Sequence, residues 1–351
     1  MAIFSTQNVT IKGISACVPK QEVWNKDYNW VSKKDRASII KNVGVESRRF
    51  APRGVTTSDL CFEAAVQLIK SLNWDKNDIE LLIFVSQSRD YMVPSTSGIL
   101  QDRLELSHNC MSFDIGMGCS GWVYAMSAAT SIMQVSGIKK ALLLVGDIST
   151  INVSYRDKST YPLFGDAGTA TALAFDDEAK PIHYNLQSDG AGYDAIIMPH
   201  SGARHFISKS SFEYKKYEKG IYRNQFHLTL NGIDVFNFAL REVVPNIKKT
   251  LKHIDKTTDD IDYFVFHQAN KLINDTLRKL LKLEPEKTPS TLQHFGNTSS
   301  ASIPLTIVVK LQQEVSTKKI CVLANGFGVG LSWGSVVFEL DNISCPDLIE
   351  Y

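Results

Sequence analysis

Three residues of this 351-residue chain have types and settings suited to shared chemistry: Cys119, His267 and Asn297. Cys119 lies in "DIGMGCSGWVYAMSAAT" (114–130), where a strand-like run gives way to small residues and aromatics at helical spacing. A thiol is a useful nucleophile only as thiolate, and the partial positive charge at a helix N-terminus lowers a thiol pKa. The position of Cys119 therefore predicts a lowered pKa. Gly116, Gly118 and Gly121 around it permit a tight turn and leave room for an acyl group to approach the sulfur. The logic is that of a nucleophile elbow with sulfur in place of hydroxyl.

Taken singly, each residue has a plainer reading. Cys119 also reads as a small buried hydrophobe. His267, in "VFHQAN", reads as a satisfied histidine at a strand end, and Asn297, in "HFGNTSSASIP", as a helix N-cap. Taken together they are more specific. A thiolate, a neutral imidazole donor and an amide donor at one sheet end suit the handling of thioester carbonyls and enolates. A hydrolase would instead need a histidine fixed as base by a carboxylate or amide.

The elements that must position these residues form an alternating pattern. "ELLIFVSQ" (80–87), "MSFDIGMG" (111–118) and "KKALLLVGD" (139–147) read as buried strands, with helical segments at 97–106 and 120–134 between them. The second half repeats the pattern in "IDYFVFHQ" (261–268), "STLQHFGN" (290–297) and "KKICVLAN" (318–325), at offsets of 181, 179 and 179 residues. Such regularity points to two similar halves joined head to tail, residues 1–180 and 181–351. Ligands collect at the carboxyl ends of strands in open α/β sheets. Cys119 follows the 111–116 run, His267 ends 263–266, Asn297 follows 291–295, and "NGFGVGLSWG" (325–334) supplies a glycine-rich turn after 320–324. The segment 201–226, rich in charge, Ser and Tyr, fits no repeat and reads as a loop excursion covering a site.

Composition narrows the function. Hydrophobic residues are 44% and charged residues 21%, and a net charge of +1 argues against nucleic-acid binding. No charged n-region with an apolar h-region opens the chain, and no apolar run reaches membrane-span length, so a cytoplasmic location is expected. Six cysteines without a C-x-x-C pair disfavour a disulfide framework and a zinc site. No Walker loop or properly placed G-x-G-x-x-G is present, so neither metal nor cofactor is expected.

The series "FDIGMGCSGWVYAMSAA", "YPLFGDAGTATAL", "FHQAN", "HFGNTSSASIP" and "GFGVGLSWGS" resembles the motif order of β-ketoacyl-acyl-carrier-protein synthase III, in the thiolase-like superfamily, from "GISACVPK" at 13–20 to "GSVVFEL" at 334–340. The resemblance implies an α/β thiolase fold of duplicated βαβαβ halves in five layers, α-β-α-β-α, and a homodimer. It implies that Cys119 takes an acyl group from a thioester donor on acyl carrier protein or coenzyme A. His267 and Asn297 would then drive decarboxylation of malonyl-acyl carrier protein. The oxyanion hole would be the backbone N–H groups of Cys119 and Val329, the latter at a position usually glycine. An acyl tunnel is implied near Phe164, Leu230, Phe236, Asn270 and Phe327, with Val93 reaching across the dimer. Lys248, Lys249, Arg278, Lys279 and Lys282 are candidates for docking an acidic carrier.

The chain also departs from the pattern. Ser38 and Asn42 stand where the family carries the Trp and Arg that clamp adenine, and Leu272 where Arg is usual, with Lys271 before it. These departures argue against an acetyl-coenzyme A primer and favour an acyl-carrier-protein donor or an unusual coenzyme A thioester; Trp24 and Trp30 are the candidate substitutes for the clamp. The alternatives are acyl transfer to an amine, alcohol or thiol without condensation, and a non-catalytic partner subunit. Hydroxymethylglutaryl synthases add a catalytic glutamate where "SQSRDYMVP" offers only Asp90.

Overall fold

The computed structural model describes residues 2–351. Two mixed sheets carry the molecule. The first has six strands, in the order 349–350, 9–18, 166–175, 140–148, 81–85 and 111–115. The second has five, in the order 2–6, 182–188, 332–341, 319–328 and 263–266. In each sheet the strand end nearest the chemistry is parallel: Leu81–Val85 runs with Met111–Ile115 and Lys140–Ile148, and Tyr263–Phe266 runs with Lys319–Gly328. Parallel strands buried on both faces read as unbroken apolar runs, which is why "LLIFV" and "YFVF" were visible without alternation.

The three largest apolar cores fill the spaces between five layers. The helices Gly121–Ser136 and Ser302–Thr317 lie between the sheets, and the residues around them, with Trp122 at the centre, form the largest core. The indole of Trp122 is fully buried and donates to Thr171 Oγ1 at 3.1 Å, so the one polar atom of the largest side chain there is satisfied. The helix Thr57–Ser71 covers the outer face of the first sheet, and Gly232–His253 with Lys271–Leu280 covers the second. The order is α-β-α-β-α.

Three sequence expectations change. The run 290–297 is not a strand: Leu292–Phe295 is a single helical turn. Leu292 and Phe295 are buried while Gln293 and His294 are exposed, a spacing of three that a helix satisfies and a strand cannot. The second sheet consequently lacks a counterpart to Met111–Ile115. The glycine-rich turn is also shorter than expected, because the strand Lys319–Gly328 runs through "NGFG" and pairs Gly328 with Ser332. Finally, the halves exchange their termini. Ala2–Thr6 pairs with Ile182–Ser188 in the second sheet, and Ile349–Glu350 pairs with Val9–Val18 in the first.

Candidate active site

Cys119 sits between the strand Met111–Ile115 and the helix Gly121–Ser136, with Ser120 as the helix cap. The elbow is close-packed. A Cβ on Gly118 would lie 2.6 Å from Gln87 Oε1, and one on Gly121 would lie 2.8 Å from Val85 Cγ1, whereas Gly116 faces open space. The tightest approach comes from the other half: a Cβ on Gly328, whose φ is +154°, would be 2.6 Å from both Cβ and Sγ of Cys119. Only glycine lets that strand end reach the sulfur.

Burial decides the state of the thiol. Cys119 is 8% exposed, and desolvation pushes its pKa up to about 11, against the opposing effect of the N–H groups of Val329 and of Cys119 itself. The nearby carboxylate of Asp147 raises it further. The sequence expectation of a lowered pKa is therefore reversed in the free site, because loss of water outweighs the helix terminus. The resting group is a thiol.

His267 follows the strand Tyr263–Phe266, is 1% exposed, and has its pKa pushed down to about 3 by burial. It is thus a neutral imidazole. Its Nδ1 is 2.8 Å from Ser302 Oγ at the start of the central helix, and its ring stands edge-on to Phe327 at 5.4 Å. Asn297 is held from both sides. Its backbone N–H donates to Leu163 O, its backbone carbonyl accepts from Gly165 N–H, and its Oδ1 accepts from Ser299 N–H at 2.9 Å. That last bond orients the amide, leaving Nδ2 with one long contact to Ala269 O at 3.4 Å and a hydrogen to spare. Ser299, at φ +51°, makes the sharp turn that this orientation needs.

Cys119, His267 and Asn297 line one cavity of about 670 Å³ together with Val329, Phe164, Leu230, Asn270 and Phe327. Asn270 also caps the helix Lys271–Leu280, its Oδ1 accepting from Ile273 N–H at 2.9 Å. Phe236 is absent from the wall; half-buried, it packs against the core of the second sheet, and its neighbour Val235 takes the lining position. Val93 is 84% exposed and does not reach the cavity of its own chain.

The docking candidates are not at the cavity either. Gly232 opens the long helix in the cavity wall, so Lys248 and Lys249 lie about 24 Å further along it at 1.5 Å per residue. Arg278, Lys279 and Lys282 follow the helix that starts beside Asn270, and Arg278 is engaged with Leu283 O at 3.2 Å. Ser38 and Asn42 are exposed one turn apart on the helix Lys33–Val43, clear of the cavity. Trp30 is committed elsewhere, donating to Gly220 O at 3.1 Å under Arg156. Lys271 pairs with Asp275, and Leu272 is exposed.

Sequence reading missed a polar cluster beneath the cysteine. Asp147, fully buried with its pKa raised by burial, accepts from Ser300 Oγ at 2.7 Å, Gln87 N–H at 2.8 Å and Ser86 Oγ at 3.1 Å. It ties the two halves directly under the site. A signal existed: "VGD" places a carboxylate at the end of an otherwise apolar strand. Asp90 also lines the cavity, with Oδ2 accepting from Ser58 Oγ at 2.7 Å. Among the described residues, no helix is long and apolar enough to cross a membrane.

Comparison with known proteins agrees with this geometry. Residues 113–190 match the family described as 3-oxoacyl-[acyl-carrier-protein (ACP)] synthase III, and 251–340 match its C-terminal part. The chain is 32% identical to a β-ketoacyl-[acyl-carrier-protein] synthase III of Clostridioides difficile, over 94% of this chain and 97% of the relative. The crystal structure of a 3-oxoacyl-(acyl-carrier protein) synthase from Burkholderia xenovorans superposes with a TM-score of 0.94 at 33% identity, covering 99% of each chain. A priming β-ketosynthase of the R1128 polyketide pathway gives 0.83 at 25% identity, covering 97% of this chain and 98% of that one. Fold and site define a thiolase-fold condensing enzyme, an acyltransferase. The chain belongs to the β-ketoacyl-[acyl-carrier-protein] synthase III family.

Proposed function

We propose that Cys119 carries the acyl group and that His267 and Asn297 act on a malonyl thioester, in a two-step decarboxylative condensation. The N-terminal half, 1–180, supplies the nucleophile, and the C-terminal half, 181–351, supplies the donors. Because the thiol and the imidazole both rest neutral, attack needs a proton acceptor, and His267 Nε2 is the available group. The Cys119 proton passes to Nε2 as sulfur bonds to the thioester carbonyl. The N–H groups of Cys119 and Val329 receive the oxyanion, and the departing carrier thiol takes the proton.

In the second step Nε2–H and Asn297 Nδ2–H donate to the malonyl thioester carbonyl. The bond to the carboxylate breaks, CO₂ leaves, and its electron pair becomes the enolate. The enolate carbon bonds to the acyl carbonyl as the bond from that carbonyl to Cys119 Sγ breaks; the sulfur leaves as thiolate and takes up a proton from water, restoring the thiol. Ser302 Oγ supports both steps, since a hydroxyl can donate to Nδ1 or accept from it. The cavity volume lies in the range of sites that bury drug-sized ligands, room for an acyl group with part of its thioester arm. Phe164, Leu230 and Phe327 form its apolar wall, with Phe236 behind it.

The substrates are an acyl thioester and malonyl-acyl carrier protein. The exposed Ser38 and Asn42, which offer no aromatic or guanidinium clamp for a nucleotide, favour acyl carrier protein over coenzyme A as donor. The exposed run Tyr91, Met92, Val93 supports a homodimer in which Val93 closes the partner tunnel. The observation that carries the reading is the convergence of Cys119, His267 and Asn297 on one cavity. Intact-protein mass after incubation with acyl-carrier-protein and acyl-coenzyme A donors tests it. An acyl adduct is expected on the native protein and not on Cys119→Ala; the absence of any adduct would overturn the reading.

A further inference from the structure

The excursion 201–226 carries two unlike surfaces. Its inner side closes the cavity: Ser201, Ile207 and Phe226 are in the wall. Its outer side presents Arg204, Lys209, Lys215, Lys216 and Lys219 to solvent, with Phe206, Phe212, Tyr214 and Tyr217 among them. Within 201–226 there are six basic residues and two acidic ones, in a chain whose net charge is only +1. None of the five exposed cations makes an ion pair among the described residues; the sixth, Arg223, pairs with the buried Asp157 at 2.6 Å.

That buried pair shows how the surface is held. The hairpin Lys215–Glu218 with Ile221–Arg223 is pinned along its second strand by Arg223–Asp157 and by Ser154 Oγ donating to Tyr222 O at 2.9 Å, and at its turn by Trp30 Nε1 donating to Gly220 O. The anchoring partners belong to the first half of the chain. The cations are therefore displayed on a fixed platform, and they flank the cavity-lining residues in sequence: Arg204 and Lys209 bracket Ile207, and Lys215 to Lys219 precede Phe226.

Exposed aromatics within a field of predominantly one charge sign, here five exposed cations against the exposed Glu213 and Glu218, mark an interaction surface for a partner of the opposite sign. We propose that this outer face of the excursion docks an acidic carrier protein and guides its thioester arm past Ser201 and Ile207 into the cavity. The proposal rests on the condensing reading above and assigns docking to the excursion rather than to Lys248 and Lys249, which stand far along the long helix from the mouth.

The test uses the full chain with two probes: malonyl-loaded bacterial acyl carrier protein, and malonyl-pantetheine, the same arm without the protein. Lys215→Glu/Lys216→Glu/Lys219→Glu is expected to raise KM for the carrier by about tenfold and to flatten its salt dependence. Turnover of malonyl-pantetheine should stay within about twofold, as for sites remote from the chemistry. Arg204→Glu/Lys209→Glu, on the other flank of Ile207, should act alike, and Lys248→Glu/Lys249→Glu should leave the carrier KM within the same range. Unchanged carrier KM in both excursion variants, or a loss confined to Lys248→Glu/Lys249→Glu, would overturn the proposal. So would native protein that sediments with phosphatidylglycerol vesicles through these lysines while carrier KM is unmoved, which would make the face a lipid surface. A native enzyme inert to both thioesters would overturn the condensing reading itself.

Discussion

Cys119 and Asn297 hold matching places in two similar halves, yet their surroundings differ. Cys119 comes off a strand that is paired in the first sheet and enters a sixteen-residue helix. Asn297 comes off one helical turn, in a sheet with no strand at that edge, and its peptide is tied to Leu163 and Gly165 of the other half. A nucleophile needs a free side chain at a helix start. A donor needs its amide turned in one direction, so its neighbours clamp it from the backbone and from Ser299 N–H. Duplication supplied the common frame, and the departures from symmetry suit the division of labour proposed above, acyl transfer at Cys119 and enolate stabilisation at Asn297.

Asn297→Ala is the strongest way to break this division. Loss of one oxyanion-type donor should slow malonyl decarboxylation by about 10²–10³-fold. Acylation of Cys119, read by intact mass, should proceed at near the native rate. An equal loss in both steps would show that the two positions are not separate in function.

The thiol's environment gives the next largest effect. With Cys119 pushed up to about 11, the thiolate fraction grows through the whole accessible range, so alkylation by iodoacetamide should rise about tenfold per pH unit from pH 7 to 10. A plateau near pH 7 would mean a thiolate stabilised by the helix start, as the local sequence alone suggests. Condensation itself should show no limb near pH 6.5, because burial holds His267 neutral well below that value.

Ser332→Ala probes the comparison most finely. Ser332 Oγ donates to Val329 O at 2.8 Å and meets Ser120 Oγ at 2.7 Å, linking the turn of one half to the residue after the nucleophile in the other. Losing a hydrogen bond worth about 1 kcal/mol should lower the acylation rate about fivefold. Ser332→Thr should restore it, and decarboxylation should change little.

Much of the scaffold was legible because it is written locally. Apolar runs such as Leu81–Val85 and Tyr263–Phe266 announce buried strands, and glycines beside Cys119 announce a tight turn. The run 291–295 reads as a strand from sequence, because a short stretch fits either period until its neighbours are known. Its true spacing appears only when Leu292 and Phe295 are seen to share one buried side. Phe236 is placed in the tunnel by analogy of position, and the fold instead packs it against the core of the second sheet, with Val235 lining the cavity.

The sequence by itself determined which groups are available: one thiol among glycines, one imidazole and one amide at the ends of repeated elements, and a cationic excursion between the halves. Tertiary structure alone decided that these groups share a cavity and that Asp147 and Ser300 bind the halves beneath it. It also decided that the thiol rests protonated and that Lys248 lies far from the mouth. Side-chain type and periodicity are properties of neighbouring residues along the chain. Desolvation and distance are set by segments that meet only after folding, so the charge state and reach of each group could not be read until the layers were assembled.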